Sequence, residues 1–230
     1  MLRVGLTGGV ACGKSTVAQM LVDRGAHFLA ADSLAHDLYA PGEPTYDKVV
    51  SRFGCEILND DGAINRSRLA NLVFPDRIDE LNAIVHPAVI EQQRQWMEEV
   101  FARDPKAVAV VVSALIFEVE RDARARGETE GVLADWRRRM DRVILVTAPD
   151  ELKVRRYVDR LGLPEDRRVA AESDARARLG HQIRDADKTA RADYVLENHG
   201  DREALRALVK PLWEQLAAES NKRTARGFLE

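Results

Sequence analysis

The stretch GGVACGKS, from Gly8 to Ser15, is the most informative part of this chain of 230 residues. It matches the pattern G-x-x-x-x-G-K-[ST], with a short β-prone run at 2–7 before it and apolar residues at helical spacing in 16–22 after it. A strand, a glycine-rich loop and a helix in this order are typical of a P-loop, which binds phosphate through backbone N–H groups at a helix N-terminus. The sequence therefore predicts a nucleoside triphosphate site.

Several residues of this loop have separate predicted roles. Gly8 and Gly13 allow backbone angles that other residues avoid, so that consecutive N–H groups can point at one phosphate. Lys14 is expected to reach the β- and γ-phosphates, and the Ser15 hydroxyl is expected to ligate Mg²⁺. The alternative, a glycine-rich turn with an incidental lysine, is disfavoured because every fixed position of the pattern is filled. The loop residues expected at the nucleotide are Gly9, Ala11, Cys12, Gly13, Lys14, Ser15 and Thr16.

The composition limits the classes of protein to consider. Apolar residues make up 45% of the chain, enough for a sizeable core, and a net charge of −3 argues against nucleic acid as the main partner. The two cysteines, Cys12 and Cys55, form neither a disulfide framework nor a zinc set. No secretion signal and no apolar run of membrane length is visible. We expect a cytoplasmic monomer that binds small molecules and neither nucleic acid nor membrane.

Runs of β-prone residues alternate with helical patterns along the chain. The continuous apolar run at 107–112 is typical of a parallel strand that is buried on both faces. Alternating strands and helices predict an α/β fold with three layers, here a P-loop NTPase of the nucleotide-kinase-like type around a five-stranded parallel sheet. The predicted strands are 2–7, 26–31, 107–112, 142–147 and 193–197.

Two insertions are predicted between the sheet elements. Residues 41–103 have helical patterns without a clear strand, and a break is expected at His86-Pro87 because the residue before proline avoids α geometry. Residues 153–191 are rich in charge and poor in large apolar side chains, which is typical of a mobile lid, although an exposed helix pair is the alternative. The predicted core comprises 1–40, 104–152 and 192–220.

Two further segments complete the prediction of secondary structure. Residues 121–140 are rich in arginine and glutamate, with a break at Gly127, and predict exposed helix and loop. A closing amphipathic helix is predicted over 202–218, and the tail from Glu219 is expected to fray.

Asp32 is the first candidate for a catalytic residue. It follows the second predicted strand, and polar residues at such strand ends face the ligand crevice of open α/β sheets. Asp32 also starts a helical pattern, where aspartate is a common N-cap. The two roles are compatible.

The remaining motifs favour a kinase over other P-loop proteins. A GTPase needs the guanine-reading motif N-K-x-D, and Asn198-His199-Gly200-Asp201 lacks the lysine. A motor ATPase usually has a strand that ends in Asp-Glu, whereas the strand near 108–112 ends in Ser113-Ala114. A small-molecule kinase needs an acceptor carboxylate, an acceptor pocket and an arginine-rich lid. Asp32, 41–103 and 153–191 supply these parts.

Four segments then carry a specific resemblance. VGLTGGVACGKST at 4–16 is similar to LTGGIGSGKST, and LNAIVHP at 81–87 resembles L-N-x-I-x-H-P. ALIFE at 114–118 resembles P-L-L-F-E, and the segment 182–200 resembles Q-x-x-x-E-x-K followed by A-D-x-V-I-x-N-x-G. Over nearly its whole length the sequence resembles the dephospho-coenzyme A kinases, which transfer the γ-phosphate of ATP to the ribose 3′-hydroxyl of dephospho-CoA.

This resemblance implies roles for the matching residues. Asp32 would orient or deprotonate the acceptor hydroxyl, while Lys14 and Mg²⁺ would stabilise the transferring phosphoryl group. Asn198 and Gly200 would lie near the adenine of ATP. The remaining implied contacts are the lid arginines Arg156 and Arg160 at the phosphates, and His86, Leu115 and Glu118 at the acceptor pocket.

For His86, a helix-terminating role with a satisfied ring is an equally open interpretation.

The sequence also departs from the family pattern. Ala30 replaces the first aspartate of a D-A-D motif, and Ser113-Ala114 replaces the proline of P-L-L-F-E. The segments 121–140 and 161–179 look longer than the family norm.

Cys12 stands where the family usually has serine. A thiol among backbone donors at a helix N-terminus should have its thiolate favoured, so we hypothesise that alkylation of Cys12 inactivates the protein and that ATP protects it. The alternative is a small inert side chain.

Two other functions stay open at this point. One is a different small-molecule kinase of similar architecture, such as a nucleoside or sugar-acid kinase. The other is a binding or regulatory module that hydrolyses its nucleotide slowly. The segment LNAIVHP disfavours both.

Overall fold

A parallel five-stranded sheet forms the centre of the molecule, as predicted. The computed structural model describes residues 1–74 and 76–227, and in it the strand order is β2-β3-β1-β4-β5. The strand that precedes the P-loop, β1, is central and pairs with β3 (Leu2 opposite Val108) and with β4 (Val4 opposite Arg142). The strands are β1 (Leu2–Thr7), β2 (His27–Ala30), β3 (Val108–Val112), β4 (Arg142–Thr147) and β5 (Tyr194–Glu197).

Helices cover both faces of the sheet. On one face, apolar residues of α1 and α10 pack against alternate residues of β1, and on the other face α5 and α6 pack against β3 and β4. Burial on both faces explains why the strands read as continuous apolar runs. The helices are α1 (Lys14–Val22), α2 (Ala31–Asp37), α3 (Pro44–Phe53), α4 (Arg66–Val73), α5 (Ile78–Arg103), α6 (Ile116–Ala125), α7 (Asp150–Leu161), α8 (Glu165–His181), α9 (Asp185–Thr189) and α10 (Arg202–Gly227).

The two predicted insertions have small cores of their own. In the first, α3, α4 and the start of α5 pack around Val49, Phe53 and Leu81. In the second, α7 and α8 pack around Val158 and Ala175, and Val10 and Ala11 of the P-loop contact this cluster. Each insertion therefore buries enough apolar surface to keep its helices together.

The predicted helix break at His86-Pro87 is wrong. α5 runs from Ile78 to Arg103 with Pro87 inside it. Val85 and Ile90, on either side of the proline, are 7% exposed. Burial of this face outweighs the local preference against proline and the lost backbone hydrogen bond.

The expectation of a solvated excursion at 121–140 is only partly right. Ala134, Trp136 and Met140 are buried, and the Trp136 ring meets the Phe117 ring edge-on at a centroid distance of 5.7 Å. A few apolar side chains, although widely spaced among charged ones, therefore pack into the core next to β4.

The expectation that the chain frays from Glu219 is also wrong for the described part. α10 continues to Gly227, and Ser220 is fully buried. The Ser220 hydroxyl donates to the carbonyls of Lys106 (2.9 Å) and Ala107 (3.1 Å), which fixes the helix end beside the start of β3. Residues 228–230 lie outside the described residues. No described helix has the length and the low charge that a membrane span requires.

Candidate active site

The loop between β1 and α1 has the backbone that a phosphate cradle needs. Gly8 and Gly13 have φ values of +150° and +106°, and Gly13 starts α1 in a left-handed conformation. A Cβ atom on Gly8 would overlap the Val146 carbonyl oxygen, and one on Gly13 would overlap the side chain of Asn198. Ala11 also has a positive φ of 52°, an uncommon angle for alanine. The glycines are therefore required by both angle and space.

Lys14 lies folded back on this loop. Its Nζ donates to the carbonyls of Gly8 and Gly9, each at 2.8 Å. Burial lowers the pKa of Lys14 from its usual value. Two carbonyl oxygens thus hold the ammonium group over the loop. A phosphate placed there would bind the ammonium group more strongly than these carbonyls do, because it carries a full negative charge.

The loop after β5 is tied to the P-loop. Asn198 is buried, and its Nδ2 donates to the Cys12 carbonyl at 2.8 Å. Arg156 of α7 donates to the carbonyls of Asn198 (3.1 Å) and Gly200 (3.3 Å). Arg156 therefore holds this loop in place, in addition to lining the cleft.

One large cavity joins the parts named so far. It has a volume of about 1430 Å³ and lies at the carboxyl end of the sheet, where open α/β sheets bind ligands. The P-loop, the first turn of α2, the end of α4, the start of α5, α6 and the lid helices all contribute to its wall. The predicted site residues that line it are Ala11, Gly13, Lys14, Ser15, Thr16, Asp32, Leu115, Glu118, Arg156, Arg160, Asn198 and Gly200.

Two predicted loop residues do not line this cavity. A Cβ on Gly9 would lie 3.2 Å from Lys153 Nζ, so Gly9 packs against the base of the lid. Cys12 is fully buried, and burial raises the pKa of its thiol, with Lys14 opposing that shift. The prediction of a favoured Cys12 thiolate is wrong, because the loss of hydration outweighs the cationic neighbours.

His86 lies outside the cavity as well. It is 9% exposed within α5, and burial lowers its pKa to about 4. Its Nδ1 has no hydrogen-bond partner among the described residues. The cavity is instead lined by Asp79 and Asn82, which occupy the preceding turns of the same helix.

Sequence reasoning missed two buried ion pairs at the base of the lid. Lys188 of α9 is fully buried, and its Nζ lies 2.7 Å from Glu118 Oε1. Lys153 of α7 donates to Asp185 of α9 (2.5 Å) and to Asp150 (3.0 Å). Burial alone would lower the pKa of Lys153, but these hydrogen bonds outweigh it and raise the pKa. The short α9 is therefore fixed from two sides.

The sequence carries little signal for these pairs. Glu118 and Lys188 each lie in a segment that resembles a family motif, and they are 70 positions apart in the chain. Only the fold shows that the two segments meet. A second contact between them is the hydrogen bond that the Ile183 backbone N–H donates to Glu118 Oε1 at 3.0 Å.

Comparison with known proteins identifies the family. The family model described as CoaE, dephospho-CoA kinase, matches residues 2–204. The chain belongs to the dephospho-CoA kinase family. Members of this family are ATP-dependent kinases that phosphorylate dephospho-CoA, the final step of coenzyme A biosynthesis.

Curated dephospho-CoA kinases match along almost the whole chain. The protein of Syntrophus aciditrophicus is 37% identical over 94% of this chain and 83% of its own length. The protein of Thermobifida fusca is 35% identical over 97% of this chain and 100% of its own length. The likeness therefore includes the lid and the helical insertion as well as the P-loop.

Solved structures share the fold of this chain. The crystal structure of TT1252 from Thermus thermophilus has a TM-score of 0.66 and 32% identity, and covers 92% of this chain and 96% of that one. The dephospho-CoA kinase of Campylobacter jejuni, at 21% identity and a TM-score of 0.52 over 93% of this chain and 96% of that one, shares the fold.

Proposed function

We propose that this chain transfers the γ-phosphoryl group of ATP to the ribose 3′-hydroxyl of dephospho-CoA, with Asp32 acting on that hydroxyl. The observation that carries the proposal is one cavity in which Asp32 shares a wall with Lys14 and Ser15. Phosphoryl transfer needs the attacking oxygen, the phosphorus and the leaving oxygen in line, so donor and acceptor must meet in one such space.

The P-loop is proposed to hold the triphosphate. α1 starts after the left-handed Gly13 without a side-chain cap, so the first N–H groups of the helix and its positive end would bind the anion. Lys14 exchanges the carbonyls of Gly8 and Gly9 for the β- and γ-phosphate oxygens. There its charge offsets the charge that develops on the leaving group.

Mg²⁺ fits this site through oxygen ligands. Ser15 is exposed and lines the cavity next to Lys14. Within the described part of the chain, no three His, Cys, Asp or Glu residues are grouped to hold a metal. Magnesium binds through few protein ligands together with phosphate oxygens and water, so Ser15 would hold it with the triphosphate. When bound, the ion neutralises negative charge on the phosphates.

Asp32 is proposed to orient the acceptor hydroxyl and to accept its proton. It lies in the first turn of α2, directly after β2, and its side chain is exposed to the cavity. The acceptor would enter between α4, α5 and α6, where Leu115 and Glu118 line the wall. His86 would act on this region only through the packing of α5.

The lid is proposed to close over the phosphates. Arg160 lines the cavity from α7, and its guanidinium lies 5.5 Å from the centre of the Tyr157 ring. Arg156 uses one donor of each terminal nitrogen on the loop after β5, and its remaining N–H groups would contact phosphate from that fixed position. We further propose the division into core, acceptor region (41–103) and lid (153–191), because each insertion has its own apolar cluster. The cytoplasmic location and the monomeric state stay predictions.

The deciding experiment measures ADP release with ATP, Mg²⁺ and dephospho-CoA, and identifies the product by mass spectrometry. Asp32→Asn should lower the rate on the order of 10²-fold while ATP binding is kept, because it removes the proton acceptor. Asp37→Asn, at the other end of α2 and outside the cavity wall, is the matched control. Turnover by the wild type only with a nucleoside or sugar acid would overturn the proposed acceptor.

A further inference from the structure

The cavity wall contains two aromatic rings that the proposed reaction does not use. Among the described residues that line the cavity, these are Phe74, just after α4, and His181, the last residue of α8. Their ring centres lie 5.3 Å apart, and the ring planes are nearly perpendicular, at 88°. This contact joins the lid to the acceptor region across the cleft.

Phe74 is not a core residue. Its exposed fraction is 52%, whereas Val73 next to it is 1% exposed. An exposed aromatic ring that faces a cleft, with little role in the core, is typical of a ligand contact. Asn71, one turn earlier, and Asn82, on α5, line the same wall. Carboxamides pair well with the polar edge of a purine, and adenine is their preferred base.

The distribution of charge tells which part of the acceptor fits this wall. The described residues of 41–103 that line the cavity are Ala70, Asn71, Phe74, Ile78, Asp79 and Asn82. None of them is cationic, and Asp79 is acidic. The basic side chains that line the cavity come from other elements: Lys14 from the P-loop, Arg202 from α10, and the remaining arginines from α6 and the lid. A diphosphate would be repelled from the acceptor-region wall, while an uncharged planar ring fits it.

We propose that Phe74 and His181 bind the adenine ring of dephospho-CoA, which stacks on the face of Phe74 while His181 closes over it from the lid. The perpendicular contact leaves no space between the two rings. The lid must therefore move away to admit the purine and then return. This inference rests on the proposed function, because it places one part of that acceptor.

The adenine of ATP is the competing occupant of this wall. The family resemblance puts that nucleotide on the side of Asn198 and Gly200, which line the cavity after β5, and Asn198 is bonded to the P-loop. Phe74 and His181 belong instead to the elements that surround the proposed acceptor entry. Kinetics with each substrate varied in turn separate the two occupants.

The test compares Phe74→Ala, Phe74→Trp and His181→Ala in steady-state kinetics. Loss of a base-stacking ring should raise KM for dephospho-CoA by about 5- to 150-fold, with KM for ATP unchanged, and Phe74→Trp should restore the wild-type value. Phe28→Ala is the matched control, because Phe28 is 43% exposed, lies on β2 and does not line the cavity.

A binding measurement adds a readout other than activity. In calorimetry, Phe74→Ala should weaken the binding of dephospho-CoA. The affinity for pantetheine 4′-phosphate, which lacks the adenosine, should stay at the wild-type value. Equal loss for both probes, a rise in KM for ATP alone, or no difference from Phe28→Ala would each overturn the inference. A wild type that does not phosphorylate dephospho-CoA would instead refute the proposed function.

Discussion

Replacing Lys188 by methionine tests how much the anchor of the lid contributes to stability. Lys188 is fully buried, and the side chain of its partner Glu118 is 3% exposed. In the variant, Glu118 keeps one protein donor, the Ile183 backbone N–H at 3.0 Å, and its Oε2 has no partner among the described residues. A carboxylate would then be buried without a counter-charge.

The expected cost follows from this burial. Breaking a buried ion pair by removing one partner costs about 3–5 kcal/mol in the free energy of unfolding. Since 1 kcal/mol shifts Tm by about 2–4 °C in a chain of this size, Lys188→Met should lower Tm by about 6–20 °C. Differential scanning calorimetry and urea unfolding measure the loss.

Two controls decide whether the reasoning is right. Arg184→Met removes an exposed ion pair on the same segment, in which the side chains of Arg184 and Asp187 are 82% and 50% exposed. This variant should lower the free energy of unfolding by less than about 1 kcal/mol. The double variant Glu118→Gln with Lys188→Met removes both charges and should recover most of the lost stability. A double variant as unstable as Lys188→Met would refute the ion-pair explanation and indicate lost packing.

Two further predictions concern titration and reactivity. Burial lowers the pKa of His86 to about 4, so from pH 7 to 4.5 the unfolded chain takes up a proton that the folded chain does not. Over this pH range the free energy of unfolding of the wild type, measured with urea, should fall by roughly 2–3 kcal/mol because of His86 alone, and this fall should be absent in His86→Gln. Parallel plots of stability against pH for the two proteins would contradict the prediction. Cys12 is buried and Cys55 exposed, so iodoacetamide should label Cys55 and spare Cys12 with or without ATP, as mass spectrometry can show. Fast labelling of Cys12 would restore the rejected thiolate hypothesis.

The local patterns predicted the fold well because they depend on neighbouring residues. The P-loop motif and the run at 107–112 contain the information for their own conformation, and both were confirmed. Pro87 and Trp136 were misjudged for the opposite reason. A proline inside α5 and a tryptophan in a charged segment are stabilised by distant packing partners, which the local sequence does not contain.

The candidate site shows the same division. Lys14, Ser15 and Asp32 could be placed from the motif and from the ends of strands, and the structure brings them to one cavity. The pairing of Glu118 with Lys188 depends on how α6 and α9 meet. Phe74 and His181 end their helices and match no motif, so only the shape of the cleft drew attention to them.

The strand order has a consequence for how the protein is made on the ribosome. β1 is synthesised before its neighbours, yet it pairs with β3 and β4, and α10, which covers one of its faces, begins only at Arg202. The edges of β1 stay open until β3 and β4 have been made, and one of its apolar faces stays uncovered until α10 follows. Open strand edges and exposed apolar surface are prone to aggregation. The P-loop therefore reaches its final surroundings only after almost the entire sheet and α10 have been synthesised, and β1 is exposed to wrong pairing for most of that time.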